Sequence, residues 1–170
     1  MPMVCCTSKL LAAIDDRLTE TADTTSAGEA WYGHVFTVER CKGILFVHEK
    51  TLFVCLALGV RKSDYRQMVP FFLNLLGRTL RQEGFDEREA AWVLSQHQAM
   101  TIGRTKNRST LGSLNNRIAD ATFLIEHLGG LDICDVVDLA HRLNETPMGP
   151  IGYSSGYEEM RRLIENGPGD

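Results

Sequence analysis

The stretch Ala30-Trp31-Tyr32-Gly33-His34-Val35-Phe36-Thr37-Val38-Glu39-Arg40-Cys41-Lys42-Gly43-Ile44-Leu45-Phe46-Val47-His48-Glu49-Lys50-Thr51-Leu52-Phe53-Val54-Cys55-Leu56-Ala57-Leu58 decides the fold. Trp31, Gly33, Val35, Thr37 and Glu39 alternate against Tyr32, His34, Phe36, Val38 and Arg40, and the second set is the more apolar, which predicts a strand with one face on the core. Lys42-Gly43 predicts a turn, Ile44 to Val47 a second strand, His48 to Thr51 another turn, and Leu52 to Leu58 a third strand. Connections this short join antiparallel neighbours, so the three strands form a meander.

Upstream, Met3 to Cys6 predicts a short strand, and Thr7 the N-cap of a helix carrying Leu10, Leu11 and Ile14 that fades near Glu20. Residues 20 to 29 are small and polar without periodicity and predict an exposed loop. Beyond Val60 the period becomes helical. Ser63 or Asp64 can cap a helix with Tyr65, Met68, Val69, Phe72, Leu73, Leu76 and Leu80 on one stripe, ended by Gly84. Pro70 either kinks or restarts it, because its ring and missing N–H disrupt the preceding turn. Asp86 caps the next helix, and Gln98 to Ile102 predicts a strand or an extended arm. Ser109 to Leu128 places Leu111, Leu114, Ile118, Ala121, Leu124 and Ile125 at helical spacing, closed by Gly129-Gly130. Asp132 caps a helix ending near Asn144, a Pro/Gly/Ser loop runs to Tyr157, and Glu158 to Ile164 forms a terminal helix. The expected fold is α+β: an antiparallel sheet of three to five strands with helices packed chiefly on one face.

A chain of 170 residues with 44% hydrophobic and 24% charged residues suits one domain, residues 1–170. The net charge of −4 excludes a general positive field, so contact with a polyanion has to come from a local patch. The opening residues lack the pattern of a secretory signal, and no apolar run reaches the length of a membrane span. A cytoplasmic location without membrane contact is expected. Five cysteines, Cys5, Cys6, Cys41, Cys55 and Cys134, lie mostly in apolar surroundings with no CxxC pair, which predicts reduced thiols, no metal site and no cofactor.

Arg104-Thr105-Lys106-Asn107-Arg108-Ser109-Thr110-Leu111-Gly112-Ser113-Leu114-Asn115-Asn116-Arg117 carries four cations and runs into a helical pattern. Free N–H groups and the positive end of the dipole at the start of a helix favour anions, and the forked guanidinium of Arg108 can grip a phosphate with Thr105 and Ser109. The bland alternative is a capped helix with a solvated basic face, in which Ser109 serves as N-cap, Asn115 bonds a neighbouring backbone and Gly112 lets a strand pack closely.

Cys6-Thr7-Ser8-Lys9-Leu10-Leu11, the Trp31-Tyr32 strand, the Ile44-to-Phe53 hairpin, the Thr105-to-Asn115 segment and Leu143-Asn144-Glu145-Thr146-Pro147-Met148 together resemble an uncharacterised family of small bacterial proteins, a domain of unknown function. The resemblance spans nearly the whole chain, and Asn107-Arg108-Ser109-Thr110-Leu111-Gly112-Ser113, an N-R-S-x-L-G-S pattern, is its most specific part. It implies a shared fold and a bacterial or phage origin, and no activity.

His34 and His48 fall on or beside neighbouring predicted strands and are expected within reach of one another. The aromatic residues Trp31, Tyr32, Trp92, Phe71 and Phe72 have core periodicity, whereas the Tyr153-to-Tyr157 loop has the composition of a binding loop that can fold over the basic segment. Two functions compete. The favoured one is a non-enzymatic binding or regulatory module, acting on a protein partner or an anionic ligand (nucleic acid or phosphate) through Arg104, Thr105, Lys106, Asn107, Arg108, Ser109, Asn115 and His34. The other is a small enzyme for a phosphorylated or nucleotide substrate, which requires the basic segment to converge with a histidine or carboxylate in a concave pocket.

Overall fold

The computed structural model describes residues 2–14 and 29–167. The meander forms as its alternation demands: β2 (Ala30–Val38), β3 (Cys41–His48) and β4 (Val54–Leu58) pair antiparallel in sequence order. The first turn is Glu39-Arg40, with φ of 47° and 65°, and not the expected Lys42-Gly43. Two consecutive positive φ values match the right-handed twist of a two-residue hairpin, so the local geometry overrides the glycine signal.

The sheet is mixed, which corrects the antiparallel expectation. β1 (Met3–Cys6) lies parallel to β2 on one side and parallel to β5 (Thr101–Arg104) on the other, giving the order β4-β3-β2-β1-β5. Parallel neighbours need a crossover, and helices supply it. α1 (Ser8–Ala13) follows β1, and α2 (Lys62–Arg66), α3 (Met68–Gln82) and α4 (Glu87–Ser95) intervene between β4 and β5. Pro70 stands in the first turn of α3, so it marks a restart after Gln67 rather than a kink. α1 ends at Ala13, with Ile14 already extended, ahead of the expected fade near Glu20, and residues 20–28 of the loop expected over 20–29 lie outside the described residues.

Helices cover both faces of the sheet, not chiefly one. Trp31, Val35, Ile44, Phe46 and Cys55 pack with Leu10, Phe72, Leu76 and Leu80 on one side, while Tyr32, Phe36, Leu45, Val47 and Leu56 pack with Leu114, Ala121, Ile125 and Leu139 on the other. The physical reason stands in Ile44-Leu45-Phe46-Val47, which is apolar in both registers and so must be covered twice. The second layer is α5 (Arg108–His127) and α6 (Val136–Glu145). α6 is capped by Asp135, whose Oδ1 accepts from the Val137 N–H at 2.8 Å, and not by Asp132.

A two-stranded ribbon, β6 (Pro147–Met148) and β7 (Ser154–Ser155), leads to α7 (Gly156–Glu165), two residues earlier than expected. Gly156 permits that start, because a Cβ there would stand 2.9 Å from Leu52 O and 3.0 Å from Phe53 Cα. Tyr157 packs on Phe85, so the end of the loop is seated away from the basic segment rather than folded over it, and Tyr153 points into solvent. No helix among the described residues is long and apolar enough to cross a membrane.

Candidate functional site

The basic segment begins where the edge strand β5 ends. Beyond Arg104 the chain turns toward the start of α5 and is held there by Tyr32. The Tyr32 hydroxyl accepts from the Asn107 N–H at 2.9 Å and the Lys106 N–H at 3.4 Å. Burial pushes the Tyr32 phenol up, so the hydroxyl stays protonated at neutral pH.

Asn107 is the N-cap of α5, which corrects the assignment to Ser109. Its Oδ1 accepts from the N–H groups of Ser109 and Thr110 at 3.0 and 3.2 Å, and its Nδ2 donates to Glu49 Oε1 at 3.1 Å. A short amide side chain in extended backbone satisfies orphan donors better than a hydroxyl already inside the first turn. Two of the free N–H groups that an anion would have used are therefore taken. The carboxylate of Glu49 accepts from this amide.

Around that cap the side chains of Arg104, Lys106, Arg108 and Ser109 are exposed, and Thr105 is half-buried. Among the described residues the side chains of Arg104 and Arg108 have no hydrogen-bond or ion-pair partner. Asn115 follows Arg108 by seven residues, two turns on, so the two share an exposed face of α5 with Gly112 between them. A Cβ at Gly112 would meet nothing within 4 Å, so no strand packs on it. The surface from Arg108 over Gly112 to Asn115 is exposed and bare at the glycine.

Arg117 is removed from the patch. It is 6% exposed, its Nη2 pairs with Asp120 Oδ2 at 2.6 Å, and its Nη1 reaches Leu143 O at 3.4 Å, so it ties α5 to α6.

His34 and His48 do not meet. His34 shares the Tyr32 face of β2 and contacts Thr7 Oγ1 through Nδ1 at 2.5 Å. Cys6 pairs with Gly33 on one side and Arg104 on the other, so Thr7 and His34 lie at the same end of the sheet as the basic segment, with β1 between. His48 stands on the opposite face, with its ring 4.8 Å from that of Trp31. Burial and the nearby Lys9 hold the His34 imidazole below its ordinary pKa. Burial pushes the Cys5 and Cys6 thiols up to about 11 and about 12, so neither is a thiolate nucleophile at neutral pH.

Sequence reasoning missed a second group of polar side chains. Trp31 Nε1 donates to His97 Nε2 at 2.9 Å, His97 Nδ1 contacts Val93 O at 2.6 Å, and His48 Nδ1 lies 2.9 Å from Thr51 Oγ1. These residues come from β2, β3 and the end of α4, and no spacing in the chain announces that they converge.

A family model described as Domain of unknown function (DUF6933) matches residues 3–159. No curated protein matches the chain.

Proposed function

The chain belongs to the DUF6933 family, whose description assigns no activity, and from that premise we propose that it is a non-enzymatic binding or regulatory module. Its ligand is anionic, a nucleic acid, another phosphate-bearing molecule or the acidic face of a protein partner. It docks on the exposed surface of Arg104, Lys106, Arg108 and Asn115.

The observation that carries this reading is Gly112. A glycine inside a helix costs about 0.5–1 kcal/mol relative to alanine, and here neither positive φ nor close packing calls for one. What it leaves is a bare backbone between Arg108 and Asn115, where a ligand can approach closely. The guanidinium groups of Arg104 and Arg108 have no partner among the described residues and match the forked geometry of phosphate oxygens. An enzyme reading is less well supported. The cavities beside His48, Asn74, Ala140 and Asp86 draw no residue from 104–117, and His34 is engaged with Thr7.

The test is amide NMR with inorganic phosphate and with a single-stranded oligonucleotide. The reading predicts saturable shifts confined to residues 104–116, and shifts centred on another surface would refute it.

A further inference from the structure

On the face of the sheet opposite α5, a cavity of about 310 Å3 is lined by Trp31, His48, Lys50, Trp92, Gln96 and His97, among others. Its buried hydrogen bonds determine each ring's tautomer. The Val93 carbonyl, 2.6 Å from His97 Nδ1, only accepts, so Nδ1 carries the proton. His97 Nε2 then accepts the Trp31 Nε1–H, and neither ring keeps an unused nitrogen.

His48 is arranged in the opposite sense. The Thr51 N–H, 3.3 Å from its Nδ1, only donates, so Nδ1 is the acceptor and Nε2 carries the proton. Burial, reinforced by His97 and Lys50, holds the His48 pKa down to about 3, and the ring stays neutral. No described residue accepts its Nε2–H. Among the described residues the sealed side-chain nitrogen or oxygen atoms without a partner reduce to Arg117 Nε. His48 Nε2 is therefore not sealed, although the residue is only 5% exposed, and the space that His48 borders is this cavity.

We propose that the cavity binds a planar nitrogen heteroaromatic of one or two fused rings, the size of a free nucleobase, which presents a ring-nitrogen or carbonyl acceptor to His48 Nε2. The half-buried indole of Trp92 supplies an aromatic wall, which favours a flat ligand by stacking and edge contacts. A cavity of about 150 Å3 accommodates benzene, so twice that volume has room for a second ring and a substituent. Exposed Lys50 and Gln96, with the carboxylate of Glu29 in the same lining, suit a polar substituent on the outer side. The site is separate from the α5 surface and does not depend on it.

Trp31 and Trp92 are the two tryptophans of the chain, so their indole N–H signals in NMR report on this cavity directly. The probes are benzimidazole and adenine, with indole as a control of the same outline that lacks a ring-nitrogen acceptor. Benzimidazole and adenine are expected to shift both signals saturably, with indole at least tenfold weaker. His48→Phe should abolish the preference for benzimidazole over indole, and Gln96→Phe, which narrows the exposed rim, should weaken every probe. The comparison on the native chain decides even where His48→Phe fails to fold. No saturable shift at millimolar probe, indole binding as tightly as benzimidazole, or an unchanged preference in folded His48→Phe would each overturn the assignment.

Discussion

The side chain of Asn144 closes the outer edge of Val54 as a further strand would: Oδ1 accepts from the Val54 N–H at 2.7 Å and Nδ2 donates to the Val54 carbonyl at 3.0 Å. Val54 begins β4, the last strand of the sheet, and Asn144 is fully buried at the end of α6. One amide thus joins the second helical layer to the edge strand of the sheet. Asn144→Leu leaves two buried backbone groups unpaired and should destabilise by about 2–5 kcal/mol. Urea unfolding should show a lower midpoint at unchanged slope, and a loss under about 0.5 kcal/mol would mean that water or relaxed backbone replaces the amide.

The cap of α5 gives a second prediction. Asn107 accepts two helix N–H groups, whereas Ser109 is exposed within the first turn. Asn107→Ala should cost about 0.5–2 kcal/mol, and Ser109→Ala should be nearly neutral. Thermal melts of the two variants check the order, and the reverse order would restore Ser109 as the cap.

Acid should weaken the fold well above the carboxylate range. As pH falls below about 6.5, the unfolded chain protonates His48, while the folded state does not do so until about pH 3. Stability from this ring is thus present above pH 6.5 and lost as pH falls, by about 1.4 kcal/mol per pH unit within that window. His97 and His34, also lowered by burial, act in the same direction. His141 is opposed: its hydrogen bond to Glu83 raises its pKa, so its contribution is present below pH 6.5 and lost as pH rises through the raised value, but its side chain is half-exposed and the effect is small. Unfolding at pH 7 and pH 5 should show the lower stability at pH 5. The His48 ring signals should stay flat between those values, and titration near pH 6.5 would contradict its burial.

Local rules carried much of this architecture. The Trp31-to-Leu58 meander, the helix closed by Gly129-Gly130 and the Asp86 cap are set by neighbours in sequence, so alternation and capping chemistry find them. The parallel placement of β1 and the two-sided cover of the sheet are set by contacts between residues far apart, such as Cys6 with both Gly33 and Arg104, which no short window contains. At the basic segment, composition located the exposed cations but could not tell that Arg117, on the same helix, turns inward to Asp120 and Leu143. The grouping of Trp31, His48 and His97 was illegible for the same reason.

Gly112 and Leu114 separate surface from core on one helix. Leu114 is fully buried, so Leu114→Ala should destabilise by about 2–5 kcal/mol, while half-buried Leu111→Ala should cost less. Gly112→Ala should instead stabilise by about 0.5–1 kcal/mol, since its Cβ enters open space. If the bare backbone there serves ligand approach, the same variant binds more weakly, and paired melting and titration experiments show both effects. A Gly112→Ala that is stabilised and binds unchanged would remove the argument from that residue.

The claim that the exposed cations take a phosphate-bearing ligand is tested most directly by the salt dependence of oligonucleotide binding. Fluorescence anisotropy with a labelled single strand, repeated across salt concentrations, gives the slope of log affinity against log salt. The account predicts measurable binding at low salt and, for Arg104→Ala and Arg108→Ala, weaker binding with a slope smaller by about 0.7 per lost phosphate contact. Melting temperatures should stay unchanged, because neither guanidinium has a partner among the described residues. Absence of binding at low salt, or an affinity and slope indifferent to both substitutions, would contradict it.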